Sequence, residues 1–279
     1  MRRNRFLLAG VAILLPLGLA ARAFPQQAAE KGVASPPSAT PALPPGTPKG
    51  YLPLTALPDS LALLPPPPDP GSPGFVSDEA ASRMAEALRG TARWNRASSD
   101  AVLRFPGATQ FFQCAAGIRI DPETTPVLFR LIGKTLIDVG LSTYKAKNHY
   151  NRVRPFVQHG ATTCYPPDEA MLRKDGSYPS GHSAAGWGWA LVLTELVPDR
   201  TDAILQRGRD FGQSRVICQA HWQSDVDAGR VIAAGTVARL HADPAFLADL
   251  QAAKAEIATA AKPDAAECAA EAASLAATR

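Results

Sequence analysis

Gly176-Ser177-Tyr178-Pro179-Ser180-Gly181-His182-Ser183 leads directly into an apolar run that extends from residue 184 to residue 197. A Pro-Ser-Gly turn before such a run predicts that a helix begins here. The first backbone N–H groups of that helix would point at an anion, and the missing side chain of Gly181 allows close approach. The stretch therefore predicts a helix over residues 183–197 with an anion site at its N-terminus.

Two further blocks, K-x6-R-P and S-R-x5-H-x3-D, complete a pattern of eleven residue types in a set order. Their members are Lys147, Arg154, Pro155, Ser214, Arg215, His221 and Asp225. Each block alone has an ordinary interpretation, such as a solvated helix face, a turn, a surface pair or half of a metal site. Chance agreement of all three is negligible, so the pattern indicates a functional site.

The cationic members fit a phosphoryl group, whose charge is spread over three equatorial oxygens. Lys147, Arg154 and Arg215 would neutralise these oxygens, and Ser180 and Gly181 would add shorter-range donors. These five residues are the candidate phosphate ligands.

The two histidines add nucleophilic and acid–base chemistry. Asp225 lies four residues after His221, and a bond from Nδ1–H to its carboxylate would leave Nε2 unprotonated and able to attack phosphorus. His182 has no such carboxylate, so we assign it the proton transfers. It would protonate the leaving oxygen and then take a proton from the water that hydrolyses the phosphohistidine.

These residues resemble the signature of the vanadium-haloperoxidase and type-2 phosphatidic acid phosphatase superfamily. Residues 176–183 are similar to the version found in bacterial class A non-specific acid phosphatases, and residues 58–68 resemble the amino-terminal arm of that class. The resemblance covers residues 51–241 and implies the same ligand, nucleophile, acid–base and orienting roles for the residues assigned above. The one departure is Ser183, where the class often has Thr.

The chain opens with basic residues, an apolar run over residues 6–20 and Ala21-Arg22-Ala23. This layout predicts a cleavable secretory signal over residues 1–23, with a retained anchor as the minor alternative. Cleavage takes Lys+Arg from 29 to 25, since four arginines leave, against an unchanged 25 Asp+Glu. The neutral mature chain gives no indication of a nucleic-acid or membrane partner.

Four cysteines remain after cleavage: Cys114, Cys164, Cys218 and Cys268. An even number in an exported chain permits two disulfides in three possible pairings, and we expect at least one bridge.

The remaining pattern predicts an all-α protein, a single compact multi-helix domain with an extended Pro-rich N-terminal arm. We place a disordered Pro-rich linker at residues 24–50, the arm at residues 51–74, where it lies along the domain or a partner subunit, and the domain at residues 75–260. The Ala-rich tail, residues 261–279, is expected to be a fraying helix unless Cys268 anchors it.

Helices are predicted from Ser77 to Gly90, from Asp121-Pro122-Glu123 towards Arg154, and over residues 199–217, 224–241 and 243–258. A helix that persisted to Arg154 would put Lys147 and Arg154 on one face. Trp187 and Trp189 are expected in the core rather than as a substrate platform.

Together these features predict a metal-independent acid phosphatase that hydrolyses a broad range of phosphate monoesters through a phosphohistidine, with phosphotransfer to alcohols as a side activity. A vanadate-dependent haloperoxidase in the same pocket, or a non-catalytic phosphate- or anion-binding protein, is the alternative. We expect no metal or other cofactor, vanadate as an inhibitor, a periplasmic or secreted location, and a homodimer or larger homo-oligomer.

Overall fold

The computed structural model describes residues 49–104 and 107–276. The predicted signal and nearly all of the predicted linker lie outside these residues. The described residues contain no strand, so the all-α prediction is confirmed. The α-helices are α1 (Ser60–Leu63), α2 (Pro73–Glu86), α3 (Ala92–Asp100), α4 (Gln113–Ala116), α5 (Pro126–Leu141), α6 (Tyr144–Tyr150), α7 (Pro155–Gln158), α8 (Glu169–Leu172), α9 (Gly181–Leu196), α10 (Thr201–Ile217), α11 (Gln223–Leu240), α12 (Pro244–Ile257) and α13 (Ala265–Ala276). Short 3₁₀ turns lie at Leu54–Ala56, Gly107–Phe112, Pro166–Asp168 and Pro198–Arg200.

Helix α9 packs against α5, α10 and α11 and is apolar around most of its circumference, as expected for a central helix. Trp189 is 1% exposed and donates its indole N–H to the carbonyl oxygen of Ile132 at 2.9 Å. The prediction that Trp189 belongs to the core is confirmed. Gly186 permits the close packing, because a Cβ at that position would overlap the ring of Phe211.

Two predicted helix starts are wrong. Helix α2 begins at Pro73, with Ser72 as its N-cap, rather than after Ser77, because Pro73 favours the first helical turn. The sequence around Asp121 forms a turn in which its carboxylate accepts the backbone N–H groups of residues 123 and 124 at 3.0 and 2.7 Å. Helix α5 starts only at Pro126, which has the same preference for a first turn.

The predicted continuous helix towards Arg154 is also wrong. Helix α5 ends at Leu141, and α6 ends at Tyr150 with Asn151 in the left-handed region at φ 41°. Asparagine tolerates this conformation, which lets the chain leave the helix and turn. Lys147 and Arg154 therefore do not share a helix face, and tertiary contacts bring them together instead.

The N-terminal arm lies along the protein's own helices. The backbone N–H groups of Tyr51 and Leu52 donate to the buried carboxylate of Asp138 at 2.8 and 3.1 Å. Further along, the Ser60 hydroxyl accepts the backbone N–H of Ala146 at 3.0 Å. This contact ties the arm to α6, one residue before Lys147.

The C-terminal helix α13 is anchored rather than frayed. It packs against α3, and the Cys114–Cys268 disulfide joins it to α4. Glu271 pairs with the buried side chain of Arg207 at 2.9 Å. A second disulfide, Cys164–Cys218, confirms and exceeds the expectation of at least one bridge.

None of the helices formed by residues 49–104 and 107–276 combines the length and apolar character needed to cross a membrane.

Candidate active site

The three sequence blocks converge where α6, α9, α10 and α11 meet. Lys147 lies on α6, Arg154 just before α7, Ser180 at the N-cap of α9, and Arg215 in the last turn of α10. His221 lies in the turn between α10 and α11. Residues more than seventy positions apart in sequence are thereby placed in one buried cluster.

Helix α11 comes close to the first turn of α9. The backbone N–H of Ser180 donates to the carbonyl oxygen of Asp225 at 2.9 Å. Gly229 permits this approach, since a Cβ there would lie 2.5 Å from the carbonyl oxygen of Ser180. The contact holds the predicted anion-binding turn, including Gly181 as the first residue of α9, beside the helix that carries Asp225.

The Ser180 hydroxyl is fully buried and accepts hydrogen bonds from the backbone N–H and the hydroxyl of Ser183, at 3.2 and 2.9 Å. Since Ser183 uses its proton in this contact, the Ser180 proton is available to another acceptor. A serine at position 183 supplies the hydroxyl that this arrangement needs.

Arg154 is held in place by several acceptors. Its Nε donates to the carbonyl oxygens of Leu172 and Asp175 at 3.0 and 2.9 Å, and Nη1 donates to Ala220 at 2.9 Å. Lys147 Nζ and Arg154 Nη2 both donate to the carbonyl oxygen of Gly176, at 2.7 and 3.2 Å. Burial lowers the pKa of Lys147 to about 8.

Arg215 differs from Arg154 because it is buried without comparable partners. It is 2% exposed, and its Nε and Nη1 have no hydrogen-bond partner among the described residues. Burial, followed by the nearby charge of Arg154, lowers the pKa of Arg215 to about 9. An unsatisfied buried guanidinium is costly, and an anion bound against it would remove that cost.

The two histidines differ in the role of Nε2, which donates a hydrogen bond in His182 and accepts one in His221. His182 Nε2 lies 2.9 Å from the carbonyl oxygen of Ala101, so this nitrogen carries a proton and Nδ1 is left for proton transfer. His221 Nε2 lies 3.0 Å from Nη1 of Arg154. A guanidinium can only donate, so His221 Nε2 is the acceptor and carries the lone pair.

Burial and the surrounding cations favour the neutral form of both imidazoles. Burial is the main cause that lowers the pKa of His182 well below 6.5, and the charge of Arg215 adds to it. The pKa of His221 is also lowered well below 6.5, first by burial and then by Arg154, Lys147 and Arg215. The unprotonated form of His221, which these effects favour, is the form that a nitrogen nucleophile requires.

Asp225 lies beside His221, but not at hydrogen-bond distance in this structure. Its Oδ2 is 3.5 Å from His221 Nδ1 and accepts the backbone N–H of Trp222 at 2.8 Å. Among the described residues, His221 Nδ1 has no partner at hydrogen-bond geometry, and the backbone of Ser177 partly offsets the lowering of the His221 pKa. The two members of the expected orienting pair are therefore neighbours in the structure.

Two charged residues of this region were missed in the sequence analysis. Asp175 Oδ2 lies 3.0 Å from Arg154 Nη2 and 3.5 Å from Lys147 Nζ, so a second carboxylate joins the cluster besides Asp225. Arg152 donates to Asp225 Oδ1 at 2.6 Å. Arg152 lies two positions before Arg154, and Asp175 lies directly before the stretch that starts at Gly176; that proximity was the available signal.

A metal ion has no evident set of ligands in the part of the chain that the structure describes. No group of three or more His, Cys, Asp or Glu side chains there is arranged to hold one.

The chain is similar to known phosphatases. It matches the PAP2 superfamily over residues 126–246. It is 49% identical over 201 residues to a non-specific acid phosphatase of Providencia stuartii, covering 72% of this chain and 81% of the relative. An acid phosphatase of Zymomonas mobilis is 43% identical over 199 residues, which cover 71% of this chain and 75% of the relative. A non-specific acid phosphatase of Salmonella typhimurium is 44% identical over 196 residues, which cover 70% and 78%.

The fold and the convergent cationic site thus define a helical phosphatase, and the chain belongs to the PAP2 superfamily, together with the bacterial non-specific acid phosphatases. It is an acid phosphatase, a phosphoric monoester hydrolase.

Proposed function

We propose that this acid phosphatase acts on a broad range of phosphate monoesters through a phosphohistidine on His221, without a metal ion. The observation that carries the proposal is the buried Arg215 guanidinium with Nε and Nη1 unpartnered among the described residues. An ester phosphate that binds Arg215, Arg154 and Lys147 would take the Arg154 Nη1 donor from His221 Nε2 and thereby free the lone pair of that nitrogen for attack. Contacts made only with the phosphate leave the alcohol portion free to vary.

In the first step, His221 Nε2 forms a bond to phosphorus while the bond from phosphorus to the ester oxygen breaks. His182, protonated on Nδ1, gives that proton to the departing oxygen. In the second step, water attacks phosphorus, the phosphorus–nitrogen bond breaks, and His182 Nδ1 accepts a proton from the water. Phosphate leaves and both imidazoles return to their starting states.

The bound phosphate also accounts for the protonation of His182. In the unliganded cluster, burial and Arg215 depress the pKa of His182. A phosphate dianion against the same guanidinium would offset that charge and raise the pKa, so the acid forms when substrate is present. This linkage supports an acidic pH optimum.

An alcohol that replaces water in the second step would yield a new phosphate ester. We include this phosphotransfer as a side activity, because nothing in the second step distinguishes a water hydroxyl from an alcohol hydroxyl. Vanadate, with the shape of a phosphoryl transition state, would inhibit by occupying the same cations.

The test compares the purified enzyme with His221→Ala, using p-nitrophenyl phosphate from pH 4 to pH 8 in excess EDTA. We expect activity that peaks at acid pH, survives EDTA and is lost in the variant. Alkaline quenching of the active enzyme during turnover of a substrate labelled with ³²P should trap labelled protein, because a phosphorus–nitrogen bond survives base and is hydrolysed in acid. Activity in His221→Ala, or loss of wild-type activity in EDTA that added metal restores, would contradict the proposal.

We further propose a periplasmic or secreted homodimer or larger homo-oligomer. Two disulfides support an oxidising compartment. Leucines at positions 54 and 63 of the arm are 59% and 49% exposed, as expected for a surface that packs against another subunit. Size-exclusion chromatography with light scattering should give more than one subunit, and Leu54→Ser with Leu63→Ser should shift the protein towards monomer.

A further inference from the structure

Arg152 connects two buried carboxylates on different helices. Its Nη1 donates to Asp225 Oδ1 at 2.6 Å, and its Nη2 donates to Asp78 Oδ2 at 2.8 Å. The side chains of Arg152, Asp78 and Asp225 are 8%, 3% and 0% exposed. The result is a row of alternating charges, from Asp78 on α2 through Arg152 to Asp225 on α11, which ends at His221.

The orientation of Arg152 is set by its surroundings. Asp78 accepts the backbone N–H and the hydroxyl of Ser224, at 2.8 and 2.6 Å, so the same carboxylate caps the first turn of α11. The Arg152 guanidinium also lies 5.4 Å from the ring centre of Trp222 and 5.9 Å from that of Phe75. Since both terminal nitrogens donate to carboxylates, the guanidinium has a structural role rather than a phosphate-binding one.

This arrangement determines what Asp225 can do for His221. A fully buried carboxylate needs a cationic or hydrogen-bonding partner for each oxygen. Arg152 occupies Oδ1, and this leaves Oδ2 for the Trp222 N–H and, 3.5 Å away, His221 Nδ1. Without Arg152, the carboxylate would be free to turn Oδ1 or Oδ2 towards another donor.

We propose that Arg152, held by Asp78, is a positioning residue for the nucleophile. It fixes the Asp225 carboxylate so that Oδ2 meets His221 Nδ1 as positive charge develops on the imidazole during attack on phosphorus. The inference rests on the proposed phosphohistidine function. It assigns to α2, outside the three sequence blocks, a part in aligning His221.

A double-mutant cycle tests the inference, with Arg152→Gln, Asp225→Asn and the combined variant. Arg152→Gln should lower kcat about 10- to 100-fold, the size of coupling seen within one hydrogen-bond network, and the combined variant should be no slower than Asp225→Asn alone. The inhibition constant of inorganic phosphate should stay within about threefold of the wild-type value, because the residues proposed to bind phosphate are unchanged. Arg152→Lys keeps the positive charge but loses the planar pair of donor nitrogens, so its kcat should lie between those of Arg152→Gln and the wild type.

A merely structural role would give a different pattern. Asp138→Asn is the control, since Asp138 is a buried carboxylate outside the site that binds the arm. It should lower the melting temperature and leave kcat unchanged at temperatures where it is folded. If Arg152→Gln does not fold, Arg152→Lys and Asp78→Asn replace it in the cycle, with smaller losses expected in the same direction.

Three results would overturn the inference: kcat losses that multiply in the combined variant, a wild-type kcat in Arg152→Gln, or a weakening of phosphate inhibition that equals the loss of kcat. The proposed function is tested separately by His221→Ala. An active His221→Ala would reject the phosphohistidine, whereas an inactive His221→Ala beside a fully active Arg152→Gln would reject only the positioning role.

Discussion

At the scale of single residues, the buried cations of the site differ in how many of their hydrogen-bond donors already have partners in the protein. Arg154 donates to carbonyl and carboxylate oxygens of the end of α8 and of two loops, so it is part of the framework as well as a candidate ligand. Arg215 has two nitrogens without partners among the described residues. Arginine therefore contributes to stability at position 154, whereas at position 215 it has donors without partners, which we propose bind an anion.

Arg215→Gln should affect stability and binding in opposite directions. Phosphate should bind about 10- to 100-fold more weakly, since hydrogen bonds to charged groups contribute about 1.5–3 kcal/mol each. In phosphate-free buffer the melting temperature should rise, because a desolvated cation has been removed. Arg154→Gln is the matched control and should lose both stability and binding; a similar fall in melting temperature for the two variants would contradict the prediction.

His182→Ala should distinguish substrates by their leaving groups. Turnover of an alkyl phosphate should fall about 10²–10⁴-fold, because the alkoxide needs a proton as it departs. Turnover of p-nitrophenyl phosphate should fall much less. His241→Ala, which removes an imidazole paired with Glu195 away from the site, is the control. Equal losses on both substrates would reject the acid role of His182.

Lys147→Met should move the acid limb of the pH profile. Lys147 is one of the charges that lower the pKa of His221, after burial and Arg154. A lower pKa keeps the proposed nucleophile unprotonated to lower pH, so removing this charge should raise the pKa of His221 and shift the acid limb of kcat/KM to higher pH. The measurement uses p-nitrophenyl phosphate, whose own ionisation is common to both enzymes. An unmoved or lower limb would contradict the assignment.

At the scale of elements, the turn between α10 and α11 contains His221 and directly follows the helix that carries Arg215, so it positions two of the candidate site residues. Helix α10 ends at Ile217, Gln219 takes a left-handed φ of 60°, and α11 starts at Gln223. The side chain of Gln219 bonds to Ser82 on α2, and Cys218 is bound covalently to Cys164. Arg215 and His221 are thus separated by a turn that is fixed on both sides.

The two disulfides should differ in their effect on activity. In the chain-entropy account, closing loops of 54 and 154 residues stabilises the fold by about 4 and about 5 kcal/mol. Cys164→Ser with Cys218→Ser should lower kcat even at temperatures where the variant is folded, because that bridge supports the turn with His221. Cys114→Ser with Cys268→Ser should lower the melting temperature and leave kcat near wild type. Equal kcat values for the two variants would contradict this difference.

At the scale of the whole molecule, both ends of the described chain return to the central helices. The arm binds α5 and α6, and α13 is bound to α3, to α4 and to Arg207 of α10. The cluster of buried cations is enclosed by this framework. Its mutual repulsion opposes folding until an anion binds.

Phosphate should therefore stabilise the whole protein. At 100 times its dissociation constant, binding contributes about 2.7 kcal/mol, which corresponds to a rise in melting temperature of roughly 5–10 °C for a domain of this size. Differential scanning fluorimetry in phosphate, against chloride at equal ionic strength, measures the effect. His221→Ala should keep the shift and Arg215→Gln should lose most of it. An equal shift in chloride would indicate general screening instead.

The sequence alone determined the helical class, the apolar central helix, the need for a disulfide and the list of candidate site residues. These follow from local composition, from periodicity and from a motif whose residue types are dictated by phosphate chemistry. The predicted starts of α2 and α5 and the predicted end of α6 are wrong. The local backbone preferences of Pro73, Pro126 and Asn151 set these boundaries in the structure, whereas the prediction gave more weight to the broader apolar pattern.

Only the tertiary structure decided which charges meet. Lys147 and Arg154 converge through the carbonyl oxygen of Gly176 rather than along one helix, and Arg152 reaches Asp225 from a different segment. Asp78 joins them from α2, more than seventy residues away in sequence. Spacing along the chain carries no information about such pairs, since buried charges are matched by partners that the packing of helices brings within about 3 Å.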